Sequence, residues 1–211
     1  MKIHDIVMAS TVVENDVSNY WDGSKFEDVA NLGADKRGQW GEELLEDILV
    51  AGGFTVTGTG NDNIGNDDGS VFDMDINGER TEVKTSIAQS QWQHENIYAE
   101  NKWDKIVFID VAYDTIYFTV LDYDEMVFDD KHPILGRKPT LRQAREDAYK
   151  FDFGVATFQK GIAGGLTFAY NMTNPDDEGL VSFFTNRTTN RTSLSHLAVE
   201  ACLLLRVAAN C

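Results

Sequence analysis

Cysteines are scarce in this chain, and both of them lie near its C-terminal end, at Cys202 and Cys211. This scarcity argues against a disulfide framework and against a zinc cluster built on cysteine. The chain has 211 residues, of which 42% are hydrophobic and 11% aromatic. That composition is typical of a globular protein, and the length suffices to bury a core in one domain with appendages.

The sequence also lacks a secretory signal and a long apolar run. Asp5 interrupts the apolar stretch near the first residue, which is untypical of a signal peptide. The apolar segment 194–209 contains Glu200 and Arg206, and it is too short and too charged to span a membrane. We therefore expect a cytoplasmic protein without a membrane partner. Residues 186–211 are expected to form a tail, either an oligomerisation helix or a disordered or artefactual extension.

Basic residues are few, with 18 lysines and arginines against 35 acidic residues and a formal charge of −17. Proteins that bind nucleic acids usually carry a basic surface, so this balance argues against an extended DNA-binding face. Segment 131–145 is nevertheless locally basic, and we predict a loop followed by a helix that Thr140 caps. This segment either contacts phosphates or is a solvated face. Its cationic residues are Lys131, His132, Arg137, Lys138, Arg142 and Arg145, and Lys36 and Arg37 are further candidates.

Two short strands are predicted on either side of Asn77-Gly78. This dipeptide is the strongest local signal for a two-residue type I′ turn. The turn places Asp73 opposite Glu82 and Asp75 opposite Arg80, with Lys84 on the same face as Glu82. The other face is expected to be structural and comprises Phe72, Met74, Ile76, Thr81 and Val83. A three-residue loop would shift the pairing by one residue and separate the aspartates from Glu82.

The polar face of this hairpin carries the chemistry. Opposed carboxylates at Asp73 and Glu82 lie about 5 Å apart at their Cβ atoms and repel one another unless a cation lies between them. Mg²⁺ prefers such oxygen ligands, with water or phosphate oxygens completing its coordination. Lys84 would then hold the attacking water or stabilise charge on phosphorus. Exposed Glu-x-Lys triplets are common, so a merely solvated strand pair is the alternative.

A helix is predicted upstream of the hairpin. Apolar residues recur at helical spacing at Leu44, Leu45, Ile48 and Leu49, and acidic residues occupy the first turn. Gly52-Gly53 ends the helix, and the alternation from Phe54 onward predicts a strand.

Taken together, these motifs resemble the PD-(D/E)xK nuclease superfamily, which includes many restriction endonucleases and Holliday-junction resolvases. The resemblance covers about residues 36 to 112 and rests on Glu42, Gly53-Phe54, Asp73 and Glu82-Val83-Lys84. Phe72 stands where the family often has proline. Glu43 and Glu46 remain alternatives to Glu42.

The resemblance implies an α/β fold with a restriction-endonuclease-like mixed central sheet flanked by helices. It implies a nuclease-like domain at residues 36–185, after an N-terminal extension at residues 1–35. The expected activity is Mg²⁺-dependent hydrolysis of DNA that leaves a 5′-phosphate, with Mn²⁺ as a substitute and with a homodimer as the working form. Asp73, Glu82 and the Val83 carbonyl would bind the metal, while Lys84 and Glu42 would complete the site. A junction resolvase, a repair nuclease or an inactive interaction module are the alternatives.

Three further segments follow the hairpin. Residues 90–103 are expected to cross over to a strand at 105–112 that joins the same sheet. Within them Gln93 is a candidate substrate-binding residue, Trp92 and Trp103 are expected in the core or at an interface, and His94 is expected at the surface. Phe151-Asp-Phe153 and segment 164–170 are expected to form short edge strands. The remaining candidates for substrate binding are Lys131, Arg137, Lys138 and Arg142.

Overall fold

The computed structural model describes residues 2–10, 20–58, 71–101, 103–142 and 145–188. The acidic segment 61–69 and all of the predicted tail beyond residue 188 lie outside these ranges. Five helices are described: α1 Ile3–Ser10, α2 Glu27–Ala30, α3 Ala34–Ala51, α4 Val155–Ala163 and α5 Asp177–Thr188. The strands are β1 Val56–Thr57, β2 Met74–Ile76, β3 Glu79–Ile87, β4 Gln91–Tyr98, β5 Lys105–Val111, β6 Thr115–Asp122, β7 Thr140–Arg142, β8 Arg145–Gly154 and β9 Thr167–Asn171.

The predicted helix in front of the hairpin is confirmed as α3. Its buried residues include Leu44, Leu45, Ile48 and Leu49, which form the apolar stripe seen in the sequence. The helix ends at Gly52, and Gly53 follows with φ of +87°, a conformation that a residue with a Cβ rarely adopts.

The central sheet is mixed and has the strand order β1-β2-β3-β5-β6-β9. Neighbouring strands are antiparallel except β3 and β5, which are parallel. A parallel pair requires a crossover connection, and residues 88–104 supply it. The predicted crossover is therefore confirmed, and β9 is the edge strand expected near residues 164–170. The mixed α/β architecture that the sequence predicts is present.

Both faces of the central sheet are covered. Alternate residues of β5 enter different cores, with Val107 and Ile109 on one face and Ile106 and Phe108 on the other. The first core contains the apolar sides of α1, α3 and α5. The second contains residues of β4, β8 and α4 together with Trp103, which precedes β5. Trp92 and Trp103 are both buried, as expected. Each side chain of β5 is buried, as in a strand that has neighbours on both faces.

The hairpin has the two-residue turn and the register that Asn77-Gly78 predicts. Met74 pairs with Thr81, Asp75 with Arg80 and Ile76 with Glu79. Asn77 and Gly78 have φ values of +54° and +88°, which suit a type I′ turn. Regular pairing ends at Met74.

One part of the predicted structural face is wrong, because Phe72 lies in the second core while Met74 and Ile76 lie in the first. The chain no longer alternates regularly before β2 begins, so the side chain of Phe72 reaches the opposite face of the sheet.

A second sheet, with the order β4-β8-β7, replaces two other predictions. The helix predicted after Thr140 is wrong, since residues 140–142 and 145–154 form β7 and β8. Phe151-Asp-Phe153 belongs to the middle strand of this sheet and not to an edge. Pairing with the distant β4, for example Trp92 with Phe153, determines this conformation. Such tertiary pairing overrides local helical preference.

The described part of residues 1–35 packs into the first core. Ile3, Ile6 and Val7 of α1 are buried, as are Phe26 and Val29. At the other end, α5 extends to Thr188, where Arg187 and Thr188 are buried. Among the helices within the described ranges, none is long and apolar enough to cross a membrane.

Candidate active site

The strand β3 is longer than its partner β2, and this leaves an open edge. The partner ends at Met74, opposite Thr81, whereas β3 continues to Ile87. Residues 82–87 are therefore flanked by β5 on one side only, within the described part of the chain. Unpaired peptide groups at such an edge are available for a ligand.

Asp73 closes the end of the hairpin at this edge. One of its carboxylate oxygens, Oδ2, accepts a hydrogen bond from the Val83 N–H at 2.7 Å. The N–H and the carbonyl of a strand residue point to the same side. The Val83 carbonyl therefore faces the open edge next to the Asp73 carboxylate. This contact brings together Asp73 and the Glu-x-Lys triplet, as the sequence predicts.

Glu82 and Lys84 project from the same face of β3 and form a direct ion pair. The Glu82 side chain is almost buried, with 6% exposure, and that of Lys84 is 21% exposed. Glu82 is thus held by a cation inside the protein, while the lysine remains within reach of a ligand at the surface.

Glu42 reaches this site from the third turn of α3. The preceding residue, Gly41, allows a close approach to β3, because a Cβ at this position would lie 1.8 Å from Thr85 Oγ1. Any larger residue would push the helix away from the strand. Glu42 is the helix glutamate that the resemblance favours, whereas Glu43 is exposed and accepts a hydrogen bond from Gln39.

The site carries more carboxylate than cation. The pKa of Glu42 is raised from 4.5 to about 7, first by burial and then by the Asp73 charge, while Lys84 opposes the shift. Burial also raises the pKa of Glu82, again with Lys84 opposing and Asp73 adding to the effect. Because the Asp73 charge contributes to both shifts and the Glu82 charge also contributes to that of Glu42, these carboxylates repel one another across the open edge. We call Glu42, Asp73, Glu82 and Lys84 the edge cluster.

Lys84 is kept in its ammonium form. Burial alone would lower the pKa of Lys84, but Glu82, Asp73 and Glu42 together raise it above its usual value. A lysine in this state donates hydrogen bonds and carries a positive charge at neutral pH. It suits stabilisation of negative charge on a substrate and does not suit removal of a proton.

A groove of about 740 Å³ runs along the open edge. One side is formed by the first turns of α3, with Lys36 and Arg37, and the other side by β4, with Gln93. The described residues that line the groove are Ala34, Asp35, Lys36, Arg37, Gly38, Gln39, Glu42, Val83, Lys84, Thr85, Ser86, Ile87, Gln91, Gln93, His94, Glu95 and Asn96. Glu42 and Lys84 are therefore accessible from a cavity large enough for part of a polymeric substrate.

Only some of the predicted substrate-binding residues lie at the groove. Gln93 is exposed in the groove. Arg142 contacts the lining residues Glu95, at 2.8 Å, and Asn96.

The other three candidates lie on the loop before β7 and outside the lining of the groove. The Arg137 guanidinium lies near Gly154, the partner of the lining residue Gln91. Lys138 donates to the Asp129 carbonyl, and Lys131 is exposed.

The donor atoms of the edge cluster suit a hard divalent cation. Carboxylates of Asp73 and Glu82 and the Val83 carbonyl are all oxygen ligands, which Mg²⁺ and Mn²⁺ prefer. Among the described residues, no three side chains from histidine, cysteine, aspartate and glutamate already form a metal cage. Mg²⁺ usually binds through one or two carboxylates and retains water, so the donor set fits this ion without such a cage.

A buried His94–Asp110 pair borders the groove, and the prediction of a surface histidine is wrong. The His94 Nε2 atom lies 2.8 Å from Asp110 Oδ1, and the residues are 2% and 0% exposed. Trp92 and His94 share the buried face of β4, while Gln93 and Glu95 are exposed. The alternation around Trp92 was the one signal in the sequence that placed His94 on the core side.

Comparisons with models of protein families, with curated proteins and with solved structures found no match.

Proposed function

We propose that this protein is a metal-dependent DNA endonuclease with a restriction-endonuclease-like fold. One observation carries the proposal: Glu42 from α3 meets Asp73, Glu82 and Lys84 of the hairpin at the open edge of one strand beside a groove. Strongly shifted pKa values in a cleft are typical of functional sites. The clustering of three carboxylates with one lysine supports phosphodiester hydrolysis over proton transfer alone.

Asp73, Glu82 and the Val83 carbonyl would hold Mg²⁺ or Mn²⁺. A divalent ion at this position supplies neutralising charge and lowers the pKa of a bound water. The hydrogen bond from Val83 N–H to Asp73 fixes the orientation of the carboxylate toward the open edge. The packing of Gly41 on Thr85 fixes the distance of Glu42 from β3.

Lys84 donates a hydrogen bond to the scissile phosphate or to the attacking water, and its positive charge stabilises the transition state. Its ion pair with Glu82 holds the side chain in place before substrate binds. Glu42 accepts a hydrogen bond from the attacking water and aligns it with the phosphorus atom.

The DNA backbone lies along the groove between α3 and β4. Lys36 and Arg37 contact phosphates on one side, and Gln93 contacts the substrate on the other. Arg142 supports this second side through Glu95. With so few cations the electrostatic contribution is small, so we expect weak binding that decreases only modestly with salt. A homodimer would provide two such sites for the two strands.

Cleavage of supercoiled plasmid in Mg²⁺ or Mn²⁺ tests the proposal, with EDTA, Lys84→Ala and Asp73→Ala as controls. Nicking or linearisation by the wild-type protein that both substitutions abolish is the expected result. Discrete fragments would indicate sequence recognition. Equal activity in all three proteins would identify a contaminating nuclease and refute the proposal.

Four-way junction and flapped substrates test the alternative of a structure-selective nuclease. Cleavage of these substrates without cleavage of plasmid would replace a restriction-like function with junction resolution or repair. Inactivity on all of them would favour an inert interaction module.

A further inference from the structure

The His94–Asp110 pair lies in the second core, where apolar side chains surround it. The His94 ring is 4.7 Å from the Phe108 ring and 5.5 Å from the Phe153 ring. Burial raises the pKa of Asp110, and His94 opposes that shift. His94 Nδ1 and Asp110 Oδ2 are buried and have no hydrogen-bond partner among the described residues.

Such a pair is a poor means of stabilising a core. Removing two polar groups from water costs several kcal/mol, and apolar residues of similar volume often give equal or greater stability. The neighbours Phe108 and Phe153 would accept an apolar pair. The presence of polar residues here therefore points to a role other than stability.

The pair connects β5, the neighbour of β3, with the far side of the groove. Asp110 on β5 is the partner of Ser86 on β3, and Phe108 is the partner of Lys84. Partners in register have their side chains on the same face of the sheet, so Phe108 lies beside Lys84. The His94 ring packs on Phe108 and therefore covers the position next to Lys84. Next to it, the Gln93 N–H donates to Ser86 Oγ at 3.2 Å. Two consecutive residues of β4 are thus attached, one to β3, which carries Glu82 and Lys84, and the other to its neighbour β5.

We infer that His94, held by Asp110, is a positioning residue that sets the distance between β4 and Lys84 and so forms the substrate-binding side of the groove. The occupant is the sugar-phosphate strand of DNA beyond the scissile phosphate, contacted by the groove-facing residues Gln93 and Asn96. This inference rests on the proposed function. The pair acts through β4 and does not itself touch the reacting atoms.

The test compares initial rates of plasmid cleavage over a range of plasmid concentrations. The double variant His94→Phe with Asp110→Leu removes the polar pair and retains an apolar core. We expect it to fold with unchanged or higher stability, to raise KM about tenfold and to keep kcat within about twofold of wild type. Asp110→Asn keeps the shape and one hydrogen bond, so its KM should rise only about threefold.

His132→Gln is the matched control, since His132 is also buried but accepts hydrogen bonds from Ile134 and Leu135 outside the groove. Its KM should equal that of wild type. If the double variant does not fold, Asp110→Asn alone decides the question. A KM equal to the control in the folded variants would overturn the inference and leave the nuclease function intact. Absence of cleavage by the wild-type protein would overturn both.

Discussion

Two groups of charged residues include members of the same strand, β3, and they differ in how far cations compensate their carboxylates. At its beginning, Glu79 and Arg80 join Asp104, Lys105 and Asp122 in what we call the paired cluster. Arg80 holds Asp104 through two hydrogen bonds, Nε to Oδ2 at 2.9 Å and Nη2 to Oδ1 at 2.8 Å. Lys105 contacts both Asp122 and Glu79, the latter at 3.5 Å. Each carboxylate in the paired cluster therefore contacts a cation.

The edge cluster a few residues further on is not balanced in this way. Glu82 forms an ion pair with Lys84. Asp73, in contrast, accepts its hydrogen bond from a peptide N–H, and the pKa of Glu42 is raised to about 7. Burial also raises the pKa of Glu79, but Lys105 is the strongest influence that opposes it. The paired cluster is arranged for stability, whereas the edge cluster retains repulsion that a bound cation would relieve.

The substitution Lys84→Ala should show the difference in role between the edge cluster and the paired cluster most clearly. Loss of the only cation in the edge cluster should reduce the cleavage rate about 10³-fold, since a single transition-state donor contributes 10²–10³. Plasmid nicking in Mg²⁺ measures this. Lys160→Ala, on the exposed face of α4, is the control and should retain wild-type activity. A rate for Lys84→Ala within threefold of the control would refute a catalytic role.

Lys105→Met should reduce stability and leave the cleavage rate unchanged, which is the opposite of the effect expected for Lys84→Ala. Lys105 is 4% exposed, and its removal takes away the ammonium group that contacts both Glu79 and Asp122. The free energy of unfolding should decrease by about 3–5 kcal/mol, measured by urea denaturation. Cleavage per folded molecule should not change. Lys150→Met removes a more exposed lysine that lies 3.4 Å from Asp152, and it should cost less than about 1 kcal/mol. Equal losses in the two variants would show that the paired cluster is not a stability element.

Glu42→Gln should stabilise the metal-free protein. The pKa of Glu42 is higher in the folded state, about 7, than its ordinary value of 4.5. The contribution of the Glu42 side chain to stability is therefore fully present below pH 4.5, and it is lost as the pH rises through 7. In EDTA at pH 8 the variant should gain about 1–2 kcal/mol over wild type, after allowance for solvent screening. At pH 4.5 the gain should disappear. If the free energy of unfolding differed between the variant and the wild type by the same amount at all pH values, the difference would not arise from the charge of Glu42.

Asp104→Asn should have the smallest effect. The hydrogen bonds from Arg80 lower the pKa of Asp104 below 3.8, while partial burial opposes the shift. Its contribution is thus present above pH 3.8 and is lost as the pH falls toward the folded-state pKa. Because the pair is partly exposed, the variant should lose about 1 kcal/mol at pH 7 and less at pH 3. Thermal unfolding at the two pH values measures the difference, and an undiminished loss at pH 3 would contradict it.

Local signals predicted the half of the site that lies within the hairpin and α3. Asn77-Gly78 determines the pairing of Asp75 with Arg80 because a two-residue turn admits one register. The helical spacing of Leu44, Leu45 and Ile48 identified α3. The hairpin places Asp75 opposite Arg80, yet the Arg80 side chain forms an ion pair with Asp104, which directly precedes β5 and lies outside the hairpin.

The other side of the groove could not be predicted locally. The strand β4 forms because Trp92 pairs with Phe153, and β7 replaces a predicted helix for the same reason. Neither partner is visible within a short window of sequence. The burial of His94 depends on this second sheet as well, so a polar residue was predicted at the surface where tertiary pairing places it in the core.

Calorimetric titration with Mn²⁺ tests the difference between the two clusters most directly. The wild-type protein should bind Mn²⁺, and Asp73→Asn or Glu82→Gln should abolish this heat, because each removes a ligand from the edge cluster. Asp104→Asn and Asp122→Asn, in the paired cluster, should leave it unchanged. Absence of binding to the wild-type protein, or equal binding in all four variants, would contradict the assignment of a metal site to the open edge of β3.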